Sequence, residues 1–322
     1  MRVLKWAILG PGSIATAFAE AIIEVNGSVY AVGSRSLERA MQFASTLGIE
    51  NAYGSYEDLL ADEAIDIVYI AMPHSNHYEY ILKCLQHNKH VLCEKAITIN
   101  ADQLAEVMQL AESRSLIVAE AMTVYHMPLY KQLREMIAGG RIGKVKMLQA
   151  SLGSMKDYDV TNRFLNKDLA GGAMLDIGTY AVSFVRYFLS SQPHTVVSMV
   201  KQFETGVDEQ VGISLKNSED EMAVISLSLR AKMPKTGLIA GELAYISIDD
   251  LQRPSKATII DLDGSAEVIT AGESAKAFMY EVEDMNNWVL NHHTADTISF
   301  SLDVLKVMDE VRKQGGISYP FE

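Results

Sequence analysis

The first third of the chain alternates short apolar runs with longer amphipathic stretches. The apolar runs have the length of β-strands and cover residues 6–9, 29–33, 65–71, 90–93 and 116–119. The amphipathic stretches predict helices at residues 13–25, 37–47, 76–88 and 101–113, the last three capped by Ser36, Ser75 and Asn100. Strands that alternate with helices indicate βαβ units around a parallel sheet. We therefore predict an α/β protein in which residues 1–121 form a doubly wound Rossmann domain.

After Pro128 the pattern changes. A helix is predicted at residues 129–138, where Gly139 and Gly140 end it. Alternating segments at residues 144–152, 195–203, 210–215, 223–229, 243–248 and 257–261 predict one large, open and mainly antiparallel sheet. Helical stretches at residues 173–188, 275–291 and 299–313 are expected to cover one face of it. Residues 122–322 are thus expected to form an α+β domain for the substrate and for oligomer contacts, with the ligand in a cleft between the domains.

Composition limits the classes of partner. The 41 acidic and 28 basic side chains give a formal net charge of −13, which favours neither nucleic acid nor an anionic membrane surface. No apolar run is long enough to cross a bilayer. Cys84 and Cys93 lie in apolar contexts, so we expect buried thiols in a reducing compartment, the cytoplasm. His292 and His293 have no third ligand nearby, and no metal site is predicted.

The first strand leads into a glycine-rich loop that opens a helix. In this G-x-G-x-x-A pattern Gly10 allows the tight turn, Gly12 allows close approach of a pyrophosphate, and Ala15 keeps the helix near the sheet. Ser13 and Ile14 are the first helical residues, where backbone amides and the helix dipole favour an anion. The loop therefore predicts a dinucleotide site.

The end of the second strand bears on the choice of cofactor. A site for NAD normally has an acidic residue there to bind the ribose 2′-hydroxyl, whereas an arginine accommodates the 2′-phosphate of NADP. This chain has Ser34 and Arg35, with Arg39 one turn later, and no acid. We expect NADP(H) as the preferred cofactor, with NAD(H) as the alternative. The two arginines would otherwise only solvate the following helix.

Three further segments are similar to one enzyme family. They read Met72-Pro73-His74-Ser75-Asn76-His77, Cys93-Glu94-Lys95-Ala96 and, at residues 169–180, LAGGAMLDIGTY. Together with the glycine loop they resemble the Gfo/Idh/MocA oxidoreductases over essentially the whole chain. Residues 53–57 and 204–208 are similar to the dimeric dihydrodiol dehydrogenase-like branch of that family.

The resemblance implies roles for particular residues. It implies a catalytic lysine at Lys95, accompanied by Asp176 and Tyr180. It also implies that His74 and Asn76 lie near the nicotinamide ribose. The remaining cofactor contacts that we expect from these motifs are Met72, Pro73, His77 and Glu94. The chain departs from the family at Ala96, where the family has Pro, and at residues 122–125, which lack the Trp and Arg of the dihydrodiol branch.

The proposed chemistry uses a tyrosine and a lysine. Asp176 and Tyr180 are four residues apart on a predicted helix, so both side chains face the same way. An ammonium at Lys95 would favour the phenolate of Tyr180 or polarise a carbonyl, with Tyr180 as proton donor and Asp176 orienting. Arg163 is a further candidate for the substrate. The alternative is that Asp176 is a helix-start charge and Tyr180 a packed aromatic.

We therefore predict an NAD(P)-dependent oxidoreductase for a small molecule: a sugar, a polyol or a related hydroxy-carbonyl compound. By analogy with the family we expect a homodimer or higher homo-oligomer. Two other functions stay open. One is a regulator that binds the cofactor without turnover, and the other is an NAD-dependent glycoside hydrolase.

Overall fold

The computed structural model describes residues 2–322, which divide into two compact units. The first unit comprises the chain up to Thr98, Asp102–Ala121 and Phe278–Ile298. The second comprises Ile99–Ala101, Met122–Ala277 and Ser299–Glu322. After Ala121 the chain continues in the second unit, and the later segment Phe278–Ile298 belongs again to the first unit.

The helices and strands are as follows. The strands are β1 Trp6–Leu9, β2 Ala31–Gly33, β3 Asn51–Tyr53, β4 Ile67–Ile70, β5 His90–Glu94, β6 Val118–Ala121, β7 Val145–Gly153, β8 Thr195–Gln202, β9 Asp208–Lys216, β10 Met222–Ser228, β11 Met233–Gly241, β12 Ala244–Asp249, β13 Lys256–Asp261 and β14 Ala266–Thr270. The α-helices are α1 Ser13–Asn26, α2 Leu37–Leu47, α3 Tyr56–Ala61, α4 His74–Gln86, α5 Ala101–Ser113, α6 Thr123–His126, α7 Pro128–Ala138, α8 Thr179–Phe188, α9 Ala277–Asn291 and α10 Ile298–Gln314.

The first unit contains a six-stranded sheet in the order β3-β2-β1-β4-β5-β6. Every strand pairing in it is parallel, so the carboxyl ends of all six strands lie along one edge. The strand order reverses at β1, which pairs with β2 on one side and β4 on the other. In such sheets ligands bind beside the reversal, at the carboxyl edge. The predicted Rossmann fold is confirmed.

The core of the first unit includes a group of packed aromatic rings. The ring of Phe18 stacks on that of Tyr69 at a centroid distance of 3.8 Å. The indole nitrogen of Trp6 donates a hydrogen bond of 3.0 Å to Oδ1 of Asn286 on α9. Four further side chains of α9 belong to the same core: Val282, Met285, Trp288 and Val289. The expectation that a helix at 275–291 covers the second sheet is therefore wrong for α9, whose apolar face completes the Rossmann core instead.

Several local predictions in the first unit can be compared with the structure. The predicted strand 6–9 and helices 37–47 and 101–113 coincide with β1, α2 and α5. Ser36 is the predicted cap of α2, since its side chain accepts the amide of Arg39. Ser75 does not cap α4, because this helix already begins at His74, after the extended Pro73. The short elements β3 and α3 were not predicted.

The second unit contains an eight-stranded sheet in the order β14-β13-β12-β11-β7-β10-β9-β8. All its pairings are antiparallel except that between β10 and β7. This confirms a large, mainly antiparallel open sheet, although β11 and β14 were not predicted. Helix α8 packs closely on one face, where a Cβ on Gly237 would lie 2.6 Å from the ring of Phe184. The predicted helix 173–188 is divided, since Met174–Gly178 is a π-helical turn that precedes α8.

The opposite face of this sheet carries an uncharged row of side chains. The pairing register aligns one residue from each of the eight strands across the sheet. The row consists of Val268, Thr258, Ser247, Leu238, Gln149, Val224, Ser214 and Val197. At its two ends Val197 is 60% exposed and Val268 is 53% exposed.

Within the described residues, no helix is long and apolar enough to cross a membrane. In the same range no three side chains among His, Cys, Asp and Glu gather as metal ligands. Cys84 and Cys93 are buried free thiols, as predicted, and burial raises the pKa of each thiol above its usual value.

Candidate active site

The two glycines of the loop after β1 differ in the space around them. Gly10 has no room for a side chain, whereas Gly12 is open enough for a ligand to approach. Gly10 has φ of 93°, and a Cβ there would lie 2.9 Å from Cγ of Met72 and 3.0 Å from the carbonyl oxygen of Ala71. A Cβ on Gly12 would meet nothing within 4 Å. Ala15 is fully buried where α1 approaches the sheet. The loop therefore has the shape that a dinucleotide pyrophosphate requires. It is open beside Gly12 and at the start of α1, where Ser13 is exposed and Ile14 is half-buried.

The end of β2 presents two arginines without ion pairs. Arg35 and Arg39 are both exposed, and no carboxylate within residues 2–322 lies at salt-bridge distance from either. Both guanidiniums act on Tyr56: burial raises the pKa of its hydroxyl, and the two positive charges oppose that rise. Ser34 is buried, and its Oγ accepts the amide of Ser36 at 3.3 Å. These positive charges fit a phosphate, as the sequence predicts.

Two histidines of α4 connect the loop after β4 to the loop after β5. Nε2 of His74 lies 3.0 Å from the carbonyl oxygen of Lys95. His77 is fully buried, with Nδ1 2.9 Å from the carbonyl oxygen of Ala96 and Nε2 2.7 Å from that of Met72. Burial lowers the pKa of His77, although the two carbonyls favour its protonated form. Both ring nitrogens of His77 thus face backbone carbonyls, and its contact with a cofactor stays a prediction.

Glu94 faces the core of the first unit. Its Oε1 accepts the hydroxyl of Tyr69 at 2.5 Å, and its Oε2 accepts the amide of Lys95 at 3.3 Å. Burial, followed by the charge of Glu94, keeps the pKa of Tyr69 well above its usual value. Glu94 thereby supports the backbone that carries Lys95, whose own side chain is partly exposed. The Lys95–Ala96 peptide bond is cis.

The cofactor residues expected from the sequence thus gather at one edge of the first sheet. The contacts described above join Gly10 to Met72, and His74 to Lys95. Pro73 is exposed and Asn76 half-buried at the start of α4. This edge is where the strand order reverses, which is the expected place for a dinucleotide.

In the second unit, Asp176 lies between two cations. Its Oδ2 is 4.0 Å from Nζ of Lys156, and its Oδ1 is 4.0 Å from a guanidinium nitrogen of Arg163. Asp176 is 7% exposed, and its amide donates to the carbonyl oxygen of Gly172 at 3.1 Å. The two positive charges offset the cost of burying this carboxylate. Arg163, which the sequence offers only as a candidate for the substrate, therefore lies beside Asp176.

Tyr180 is the second residue of α8, the helix that directly follows the π-helical turn carrying Asp176. Its side chain is 9% exposed. Such π-helical turns are frequent at functional sites. Asp176 and Tyr180 therefore lie on one short continuous helical segment, as their spacing predicted, although its geometry is not purely α-helical.

Lys156 was not identified from the sequence. It follows β7 by three residues, and its Nζ lies 3.7 Å from the centre of the Phe164 ring, over which Arg163 also stacks. Its carbonyl oxygen accepts a hydrogen bond of 2.5 Å from Arg230. No local motif distinguishes Lys156 from a solvated lysine. The one feature of the sequence that could have indicated a site residue is its position shortly after a predicted strand.

Two family models match the chain. Residues 4–122 match a model described as an oxidoreductase family with an NAD-binding Rossmann fold. Residues 130–247 match the GFO/IDH/MocA C-terminal domain.

Curated relatives match over nearly the full length. A trans-1,2-dihydrobenzene-1,2-diol dehydrogenase from Xenopus tropicalis is 33% identical and covers 98% of this chain and 99% of its own. A D-xylose 1-dehydrogenase (NADP(+)) from Hypocrea jecorina is 30% identical, over 98% of this chain and 93% of its own. Among solved structures, a 3-ketoreductase from Actinomadura kijaniata, in complex with NADP and TDP-benzene, has a TM-score of 0.86 at 24% identity. That alignment covers 97% of this chain and 98% of the other, and it shows the shared fold.

Proposed function

Since the chain belongs to the GFO/IDH/MocA oxidoreductase family, we propose that it transfers hydride between NADP(H) and a small hydroxyl or carbonyl substrate. The substrate class that we propose is a sugar, a polyol or a related hydroxy-carbonyl compound, in keeping with the xylose dehydrogenase among the relatives. The observation that carries the choice of cofactor is the end of β2, where Arg35 and Arg39 are exposed and have no carboxylate partner among residues 2–322.

The nicotinamide cofactor supplies or accepts the hydride when it is bound. The protein has to move a proton at the substrate oxygen, and we assign this to the phenol of Tyr180. Tyr180 and Asp176 are both largely shielded from water, so a phenol there can donate without competition from solvent. Asp176 is the orienting group in this proposal. Lys95 is the second residue that we assign to the proton, by analogy with the family.

Arg163 and Lys156 complete the proposed substrate site. The Arg163 side chain is 56% exposed, so its guanidinium has donors available beyond its approach to Asp176. Hydroxyl-rich substrates need such donors and a carboxylate acceptor. Residues 122–125, where the dihydrodiol branch differs, are all buried in the second unit. The hydroxyl of Thr123 donates to the carbonyl oxygen of Gln252 at 2.7 Å. In this proposal these four residues pack rather than select the substrate.

Turnover with a panel of sugars, polyols and dicarbonyl compounds tests this function. We expect a change of nicotinamide absorbance with at least one of these classes, and faster turnover with NADPH or NADP⁺ than with NADH or NAD⁺. Tight NADPH binding without turnover of any class would contradict the enzyme and support a regulator. NAD that remains bound through purification, with cleavage of glycosides, would support the glycoside hydrolase.

We propose further that the protein forms a homodimer through the open face of the second sheet. The uncharged row from Val268 to Val197 crosses all eight strands, and burial of such a face removes apolar surface from water. Val224→Glu places a charge in the middle of this row and is expected to produce monomers in size-exclusion chromatography with light scattering. Leu262→Glu, in the turn after β13, is the control and should leave the oligomeric state unchanged. A wild-type protein that is monomeric at micromolar concentration contradicts the proposal.

The compartment that we propose is the cytoplasm. The support is the pair of buried free thiols, Cys84 and Cys93, which fit a reducing environment. Fractionation of cells that express the tagged chain tests this assignment, and recovery in a membrane or secreted fraction would contradict it.

A further inference from the structure

A fully buried carboxylate in the second unit contacts the start of the π-helical turn. Asp208 is the first residue of β9 and is 0% exposed. Its Oδ2 accepts the backbone amide of Met174 at 2.6 Å. Met174 is the first residue of the turn that carries Asp176. The contact therefore joins the sheet to the segment that bears two of the proposed site residues.

The backbone before Met174 is shaped to admit this carboxylate. Gly172 has φ of 121°, and a Cβ on it would overlap Oδ1 of Asp208. One residue earlier, the carbonyl oxygen of Gly171 accepts the hydroxyl of Tyr319 at 2.7 Å. The short segment from Gly171 to Met174 is thus bound at both ends, by a phenol at its carbonyl and by a carboxylate at its amide.

Charged groups on other elements of the second unit act on the Asp208 carboxyl group that contacts the amide of Met174. The Arg312 guanidinium of α10 lies 5.2 Å from the centre of the Tyr319 ring and pairs with Glu322 at 2.7 Å. Burial raises the pKa of Asp208 to about 6, while the amides of Met174 and Ala173 and the charge of Arg312 oppose the rise. Burial of Tyr319 keeps the pKa of its own hydroxyl well above the usual value, and the charge of Asp208 adds to that rise.

We propose that Asp208 is a positioning residue for the reaction, because its carboxylate fixes the amide at which the turn bearing Asp176 begins. The inference rests on the proposed function. The hydrogen bond acts on the first residue of a continuous helical segment, so a shift there moves Asp176 and Tyr180 together. A displacement of about 1 Å in a site group can lower a rate by about two orders of magnitude.

Three variants separate positioning from mere stability. Asp208→Ala removes the acceptor and is expected to lower kcat at least about tenfold while the Kd for NADPH stays within about twofold. Asp208→Asn should restore kcat to within about threefold of wild type. The reason is that Oδ1 accepts no hydrogen bond within residues 2–322, so an Asn can place its oxygen at the Oδ2 position. The control is Glu221→Ala, which removes another buried carboxylate that accepts a backbone amide, that of Ser190 at 2.8 Å. This control should lose thermal stability but keep kcat.

Amide hydrogen exchange of residues 171–180 gives a readout that does not depend on activity. We expect faster exchange of this segment in Asp208→Ala, and wild-type exchange in Glu221→Ala. Unchanged exchange in Asp208→Ala, or a kcat within twofold of wild type, overturns the positioning role. If the segment exchanges faster but wild-type protein turns over no substrate of the panel, the proposed function fails while the role of Asp208 in ordering the turn is supported.

Discussion

Burial of the Asp208 carboxyl group should make the protein less stable as the pH rises. Most carboxyl groups in proteins have the opposite effect, because their pKa is lower in the folded state. The pKa of Asp208 in the folded protein is about 6, against a usual value of 3.8. The difference of about 2 units corresponds to about 3 kcal/mol of free energy, since each unit is worth about 1.4 kcal/mol. The cause is desolvation, because only backbone amides and the more distant Arg312 favour the charged form.

The sign follows from the tighter proton binding of the folded state. The stabilisation is complete below pH 3.8, the usual pKa, and is lost as the pH rises through about 6. Asparagine does not titrate, so Asp208→Asn is the reference. The free energy of unfolding of wild type minus that of the variant should fall by about 2.4 kcal/mol between pH 4 and pH 7, which is most of the full effect. Guanidinium titrations of both proteins across this range measure the difference.

Asp261→Asn serves as a control of opposite sign. Asp261 accepts two hydrogen bonds from Arg141, at 2.7 and 3.0 Å, and this pairing lowers the pKa of its carboxyl. The stability that this ion pair contributes is present above the usual pKa of the carboxyl group and is lost as the pH falls. The free energy of unfolding of wild type minus that of Asp261→Asn should therefore rise with pH. If the free energy of unfolding of wild type minus that of Asp208→Asn stays constant or rises with pH, the reasoning is refuted.

Two other predictions concern the cofactor and the proton. Arg35→Ala should weaken NADPH binding by ~1.5–3 kcal/mol at low salt and leave NADH binding nearly unchanged, as fluorescence titrations of both cofactors would show. Equal weakening of both would remove Arg35 from the 2′-phosphate. Tyr180→Phe keeps the ring and should lower kcat on the order of 10²–10⁴-fold with unchanged NADPH affinity. Lys95→Ala should also lower kcat, and the double variant should lose less than the two effects combined. Near-normal kcat in Tyr180→Phe, measured where hydride transfer limits the rate, would exclude the phenol as proton donor.

Local sequence signals predicted an element correctly where residues next to it in the chain determine its ends. Helix α2 begins after a serine cap and ends at Gly48 with φ of 69°, and both signals are visible in the sequence. Strand β11 shows the opposite case. It contains Pro234, Gly237 and Gly241, which depress a strand signal, yet pairing with β7 and β12 makes it part of the sheet. Tertiary pairing of this kind has no local signature.

The candidate site likewise contains residues that local motifs predict and residues that only tertiary packing brings there. The glycine loop and the arginines after β2 are contiguous in sequence, so motif spacing predicted them. Lys156 and Asp208 were not predicted as site residues, because they reach the segment around Asp176 only through the packing of the second unit. His77 shows a third case: its motif position is informative, but whether its ring contacts a ligand or backbone carbonyls depends on burial.

The return of α9 to the first unit has a consequence for the order in which the polypeptide can fold as it is synthesised. Val282, Met285 and Trp288 belong to the same apolar core as Trp6 and Phe18. A nascent chain that has reached only Ala121 therefore leaves part of that core facing water. Exposed apolar surface of this kind promotes aggregation and recruits chaperones. The strands of the first unit are thus completed by a helix that is synthesised only after all eight strands of the second sheet.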